Sequence, residues 1–243
     1  MTNEIIYGIG SYLLLIALLL LIKYMTKGNK KIDKREKKYL LYSSIALIAF
    51  LSLAGVEVYL LPAHPYPQLV MVILILLYVF FIEKRDLKSL GISTENIRES
   101  AIIGVVVGIV IFIYPAITII MFYCKVGLSD AFVYLVHNFN LTPRSLLHYL
   151  YIGFSEEIIF RGFLQRRFLE SMKPGYAIVS VALLFTFIHL LNYSTISLGA
   201  VYDCSQKFGT ALIFGYLMYR TDNILSVGIV HTFGNFVKLI GGI

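Results

Sequence analysis

The sequence predicts an all-α protein, a polytopic membrane bundle of about eight transmembrane helices. Three observations carry this. Of its 243 residues, 58% are hydrophobic and 14% charged, where a soluble domain carries roughly 25% charged residues. The mean hydropathy is +0.80. The apolar residues also fall in runs close to the roughly 20 that a helix needs to cross about 30 Å of hydrocarbon.

Eight runs follow in order: residues 5–25, 39–61, 68–82, 101–124, 145–169, 176–191, 203–219 and 223–240. The first is preceded by Glu4 and followed, not led, by positive charge, so it reads as a retained helix and not a cleaved signal peptide. The second ends at the proline-rich Ala63-His64-Pro65-Tyr66-Pro67, and the third is short but dense. The fourth contains Pro115, an expected kink. Thr142-Pro143 marks the start of the fifth: threonine caps, and proline fits the first helical position because its missing N–H would have no partner there. Pro174-Gly175 separates the fifth from the sixth. The last four runs are the more polar, so function is expected there. No internal repeat or low-complexity segment divides the chain, and residues 1–243 read as one membrane domain.

The net charge of +7 is clustered, which points to membrane topology and not to nucleic acid. Loop 23–38, with Lys23, Lys27, Lys30, Lys31, Lys34, Arg35, Lys37 and Lys38, is placed in the cytoplasm. Segments 83–100, 166–174 and 220–222 fall on the same side, and 64–68 and 192–202 outside. Both termini are then outside. The basic loop serves as a topology determinant touching anionic headgroups, with a docking site for a partner or acidic substrate as its rival reading. Cys124 and Cys204 show no metal spacing and read as packing residues, though one bridge between them stays open.

The polar residues inside the late helices are the informative ones, because ionisable groups in a membrane pair or act. Glu157 and Arg161 are four apart on the fifth helix and share a face, which predicts an ion pair. Glu156 points about 100° away, towards a cavity where desolvation would suit it to take a proton from water. The rival reading is one buried charge network that fixes packing. His189 lies near the end of the sixth helix, one turn after Phe185. His231 and Asn235 share a face of the eighth, and two N–H donors aimed together make an oxyanion-stabilising pair. Taken singly, each is equally an interhelical hydrogen bond. There is no His-Glu-x-x-His, no Gly-x-Ser-x-Gly with a base beside Ser155, and no phosphate-binding glycine loop. Glu156, His189 and His231 could form a two-His, one-carboxylate Zn2+ set; a water activated without metal needs fewer assumptions.

Glu156-Glu157-x-x-x-Arg161 followed by Gly162, then Phe185-x-x-x-His189, then His231-x-x-x-Asn235, resemble the three motifs of the CAAX protease and bacteriocin-processing (Abi) family of intramembrane endopeptidases. The resemblance covers about residues 145–236; residues 1–100 carry helices without an assigned role. It implies an eight-helix fold with an intramembrane active site. Glu156 and His189 would activate water, His231 and Asn235 would form the oxyanion site, and Glu157 and Arg161 would support them. No cofactor is expected, Zn2+ being the alternative. The expected substrate is a hydrophobic or lipidated, possibly prenylated or bacteriocin-like, peptide, cleaved at a multi-pass protein of a bacterial plasma membrane in contact with its lipids. Two other classes compete. A non-catalytic adaptor or self-immunity protein would not need the four motif residues together. A proton-coupled transporter would show related halves.

Overall fold

The computed structural model describes residues 67–190, 195 and 197–241. The first two apolar runs and loop 23–38 lie outside the described residues. Helix α1, Pro67–Leu77, continues into a π-helical stretch, Tyr78–Ile82. After a short 3-10 turn, Leu87–Leu90, come α2, Ile97–Cys124, and α3, Leu128–Asn138. Helix α4, Pro143–Glu157, runs into a π segment, Ile158–Gln165, and on into α5, Arg166–Ser171. Then follow α6, Pro174–Leu190, α7, Leu198–Thr221, and α8, Ile224–Asn235, which tightens into a 3-10 turn, Phe236–Leu239. Among the described residues there is no strand beyond an isolated bridge, Phe139 to Ile240.

The start signals act as chemistry requires. Thr142 Oγ1 accepts from the Ser145 amide at 3.1 Å, and Ser145 Oγ accepts from the Thr142 amide at 2.9 Å. Pro143 occupies the adjacent helical position. Pro174 opens α6. Helix α2 continues past Pro115 as far as Cys124. Both cysteines are free thiols.

Two features differ from expectation. Helix α3 was not foreseen, because its eleven residues are too few to register as a span. Residues 198–202, expected in an outer loop, form the first turn of α7, which Ser197 caps by accepting from the Ala200 amide at 3.2 Å. One described helix, Ile97–Cys124, is long and apolar enough to cross a membrane; Gln68–Ile82, Pro174–Leu190 and Ile224–Leu239 are shorter apolar helices.

Helix α8 is the hub. Its Val227 and Val230 pack with Ile103 and Val107 of α2 and with Ile213, Phe214 and Leu217 of α7. Against α4 it comes so close that a Cβ on Gly228 would sit 2.6 Å from the Phe154 ring. In the π segment that follows α4, Phe160, Phe163 and Leu164 bury against Ile75 of α1 and Val181 and Phe185 of α6.

The segments assigned to one side of the membrane meet at one end of the bundle. Arg85 grips Glu170 through two bonds of 2.5 and 3.0 Å. Arg167 grips Glu83, and Arg166 pairs with Asp222. Asn223 Nδ2 donates to the carbonyls of Ser93 and Glu95 at 2.9 and 3.0 Å, while its Oδ1 caps α8. At the opposite end the Asn140 amide donates to Leu239 O and Tyr134 donates to Gly241 O.

Candidate active site

The two glutamates close α4 just before the backbone widens into the π segment, a local distortion frequent at functional sites. The expected pair forms. Arg161 Nη1 donates to Glu157 Oε1 at 3.1 Å, and both side chains are fully buried. Arg161 Nη2 donates to the Ala211 carbonyl of α7 at 3.3 Å. Its guanidinium lies 4.8 Å from the centroid of Phe185 and 5.4 Å from that of Phe214, with Phe160 at 5.9 Å. An aromatic collar of this kind holds a cation through ring quadrupoles where water is absent.

The tertiary contact that spacing could not reveal joins α4 to α8. His231 Nδ1 lies 2.8 Å from Glu157 Oε1. Glu157 therefore holds both the arginine of its own helix and the histidine of another. The far side of the same imidazole, Nε2, stands 3.8 Å from Glu156 Oε2. Glu156 and Glu157 thus flank one histidine but differ in environment: the Glu156 side chain is 18% exposed and that of Glu157 0%.

His189 Nδ1 donates to the carbonyl of Phe185 at 2.8 Å, because a carbonyl can only accept. Its ring lies 4.3 Å from that of Phe185, and Glu156, His231 and Lys207 are all within electrostatic reach of it. Asn235 is buried on the face of α8 that carries His231, and its Oδ1 accepts from Lys238 Nζ at 3.1 Å. Glu156, Glu157, Arg161, His189 and His231 are thus brought together where α4, α6 and α8 meet, and Asn235 lies one turn from His231 on α8. Spacing alone did not single out Phe214, the Ala211 carbonyl or Lys238. The only signal for them in the sequence was their place one or two turns from polar residues on the last two helices.

Several polar atoms of this cluster are left over. Glu156 Oε2, Glu157 Oε2, Arg161 Nε and Asn235 Nδ2 are buried and make no hydrogen bond among the described residues. Buried polar atoms are normally satisfied, and here four unsatisfied ones fall on the motif residues. For Zn2+, three ligands would have to surround one point at about 2.0–2.2 Å. Among the described residues no three His, Cys, Asp or Glu side chains form such a group, and Glu156, His189 and His231 as placed do not fit one.

Residues 138–237 match the family model described as Rce1-like, type II CAAX prenyl endopeptidase Rce1-like. The match holds α4 to α8 and all six of these site residues. No curated protein and no solved structure matches the chain. The matched family is one of proteases that are membrane proteins. Residues 138–237, which hold the motif residues, thus match the Rce1-like family model, and that match supports a place in the CAAX-protease family.

Proposed function

We propose that the protein is an intramembrane endopeptidase that hydrolyses a peptide bond of a hydrophobic or membrane-associated peptide, prenylated or bacteriocin-like, with water activated by Glu156 and His189. The observation that carries this reading is the state of Glu156. It is a carboxylate inside the family-matched segment with a buried oxygen that no described residue satisfies, beside a histidine already oriented by a second carboxylate. A base poised this way takes a proton from water as the water attacks the scissile carbonyl.

The hydrogen bonds define what each imidazole offers. In neutral His189 the proton sits on Nδ1, facing the Phe185 carbonyl, so Nε2 presents a lone pair that can hold the second hydrogen of the attacking water. In His231 the Nδ1 proton faces ionised Glu157, so Nε2 can donate to an oxyanion only when the ring is doubly protonated. Glu156, whose Oε2 stands 3.8 Å from Nε2, supplies that proton: having taken one from water, it passes it to the imidazole as charge grows on the substrate oxygen. Asn235 Nδ2, buried and unpartnered among the described residues, is the second donor. Glu157 and Arg161 orient His231. We place the protein in a bacterial plasma membrane as a bundle of about eight spans.

The test is cleavage of a panel of hydrophobic and lipidated peptides in liposomes by wild type, Glu156→Ala and His189→Ala, each with and without a strong chelator. Loss in both variants with survival of the wild-type activity under chelation supports the reading. Activity abolished by chelation and restored by zinc overturns the metal-free mechanism, and an unaffected Glu156→Ala overturns the role of Glu156.

A further inference from the structure

A carboxamide is useful to an oxyanion only if its nitrogen, and not its oxygen, faces the substrate. The two ends are nearly equal in shape, so packing alone does not choose between them. At Asn235 something does. Lys238, one turn further on in the 3-10 stretch Phe236–Leu239, donates its ammonium to Asn235 Oδ1 at 3.1 Å. An ammonium has three donors and no acceptor. Whichever end of the amide faces it must be the oxygen, and the nitrogen is turned the other way, where Nδ2 is buried without a partner among the described residues. The lysine is itself exposed and has the freedom to keep its charge in a polar setting while its tip holds the amide. It lies one residue beyond the segment that matches the family model.

We propose that Lys238 is a positioning residue that locks the Asn235 carboxamide with Nδ2 directed into the site. The proposal rests on the reading of Asn235 as an oxyanion donor. The charge of the lysine also draws electron density onto Oδ1 and makes Nδ2–H a stronger donor, since bonds in a chain polarise one another.

The experiment compares Lys238→Met, Lys238→Gln and Lys238→Arg, in the full chain and again in an Asn235→Ala background, with the peptide panel in liposomes. The methionine and glutamine variants should each lose on the order of tenfold in kcat with KM unchanged, the effect of one charge-assisted hydrogen bond. Glutamine should fail although it hydrogen-bonds, because it can present an acceptor and so accept either amide orientation. Arginine, which only donates, should restore the rate. In the Asn235→Ala background the lysine substitutions should change nothing further. Full activity in Lys238→Met, rescue by glutamine, or an undiminished effect without Asn235 each overturns the proposal. A second measurement is independent of cleavage. The side-chain amide signal of Asn235 in asparagine-labelled protein, assigned by its loss in Asn235→Ala, should move in Lys238→Met and stay in Lys238→Arg. An unmoved signal overturns the role of Lys238 even if the wild type cleaves nothing, whereas absent cleavage with a moving signal counts against the peptidase reading alone.

Discussion

Arg161 and Arg167 lie six residues apart along one continuous helical stretch, and both are fully buried. They are used in opposite ways. Arg167 Nε donates to Glu83 Oε1 at 3.2 Å, Nη2 holds the other oxygen of the same carboxylate, and Nη1 donates to the Ser89 carbonyl at 2.7 Å. Arg161 makes one bond to Glu157 and one to a carbonyl, its Nε has no partner among the described residues, and aromatic rings fill the rest of its surroundings. A satisfied network fixes structure; a partly satisfied one is costly to keep. The bundle carries the first at its basic end and the second at its centre, and only the second has atoms to spare for a substrate.

The sharpest way to break this comparison is at the satisfied end. Arg167→Leu leaves Glu83 buried without its main partner and should cost about 3 kcal/mol or more of stability, read by denaturant unfolding in detergent. Arg85 Nε, 3.8 Å from Glu83, stays within ion-pair distance and offsets part of the loss. The double variant Glu83→Leu/Arg167→Leu should recover most of the loss, as apolar replacement of a whole buried pair does. A single variant as stable as wild type would remove the distinction between the two arginines.

At the unsatisfied centre the effect should appear in rate and not in stability. Glu156→Gln is expected to lower peptide cleavage by about 10³-fold, within the range of general-base removal, while the melting temperature holds or rises. Smaller is the effect of Gly228→Ala, which drives a methyl into the Phe154 ring between α8 and α4. It should cost about 1–3 kcal/mol and lower kcat as well, because Phe154 precedes the glutamates by two residues. Smallest is Thr142→Ala at the start of α4. Loss of the cap should cost about 1 kcal/mol with activity per folded molecule unchanged, which separates general loosening of α4 from damage to its far end.

What was legible in the sequence was local. The i, i+4 rule gave the Glu157–Arg161 pair, the Thr142-Pro143 signal gave the start of α4, and Pro174 gave the start of α6, because each depends on neighbours within a turn. The basic segments could be assigned to one side because charge asymmetry is a property of composition. The Glu83–Arg167 pair was invisible, since its partners are far apart in sequence and each looks like an ordinary loop charge. The contact of His231 with Glu157 needed the crossing of α8 on α4, which is set by Gly228 and the packing around it. Helix α3 was missed because a search for spans passes over short helices, and the first turn of α7 because Ser197 was read as loop and not as a cap.

The π segment Ile158–Gln165 has one more consequence, which concerns phase. A π turn holds about one residue more than an α turn, so the stretch shifts the rotational setting of everything after it relative to everything before it. Glu156 and Glu157 lie before the shift, Arg167 and Glu170 after it. Were the same residues wound as regular α-helix, with none removed, α5 would be turned by about 100° against α4. The glutamates could then face α8, or the arginine could face Glu83, but the same helix could not do both. The widened stretch lets one helix obey two neighbours whose demands are out of register.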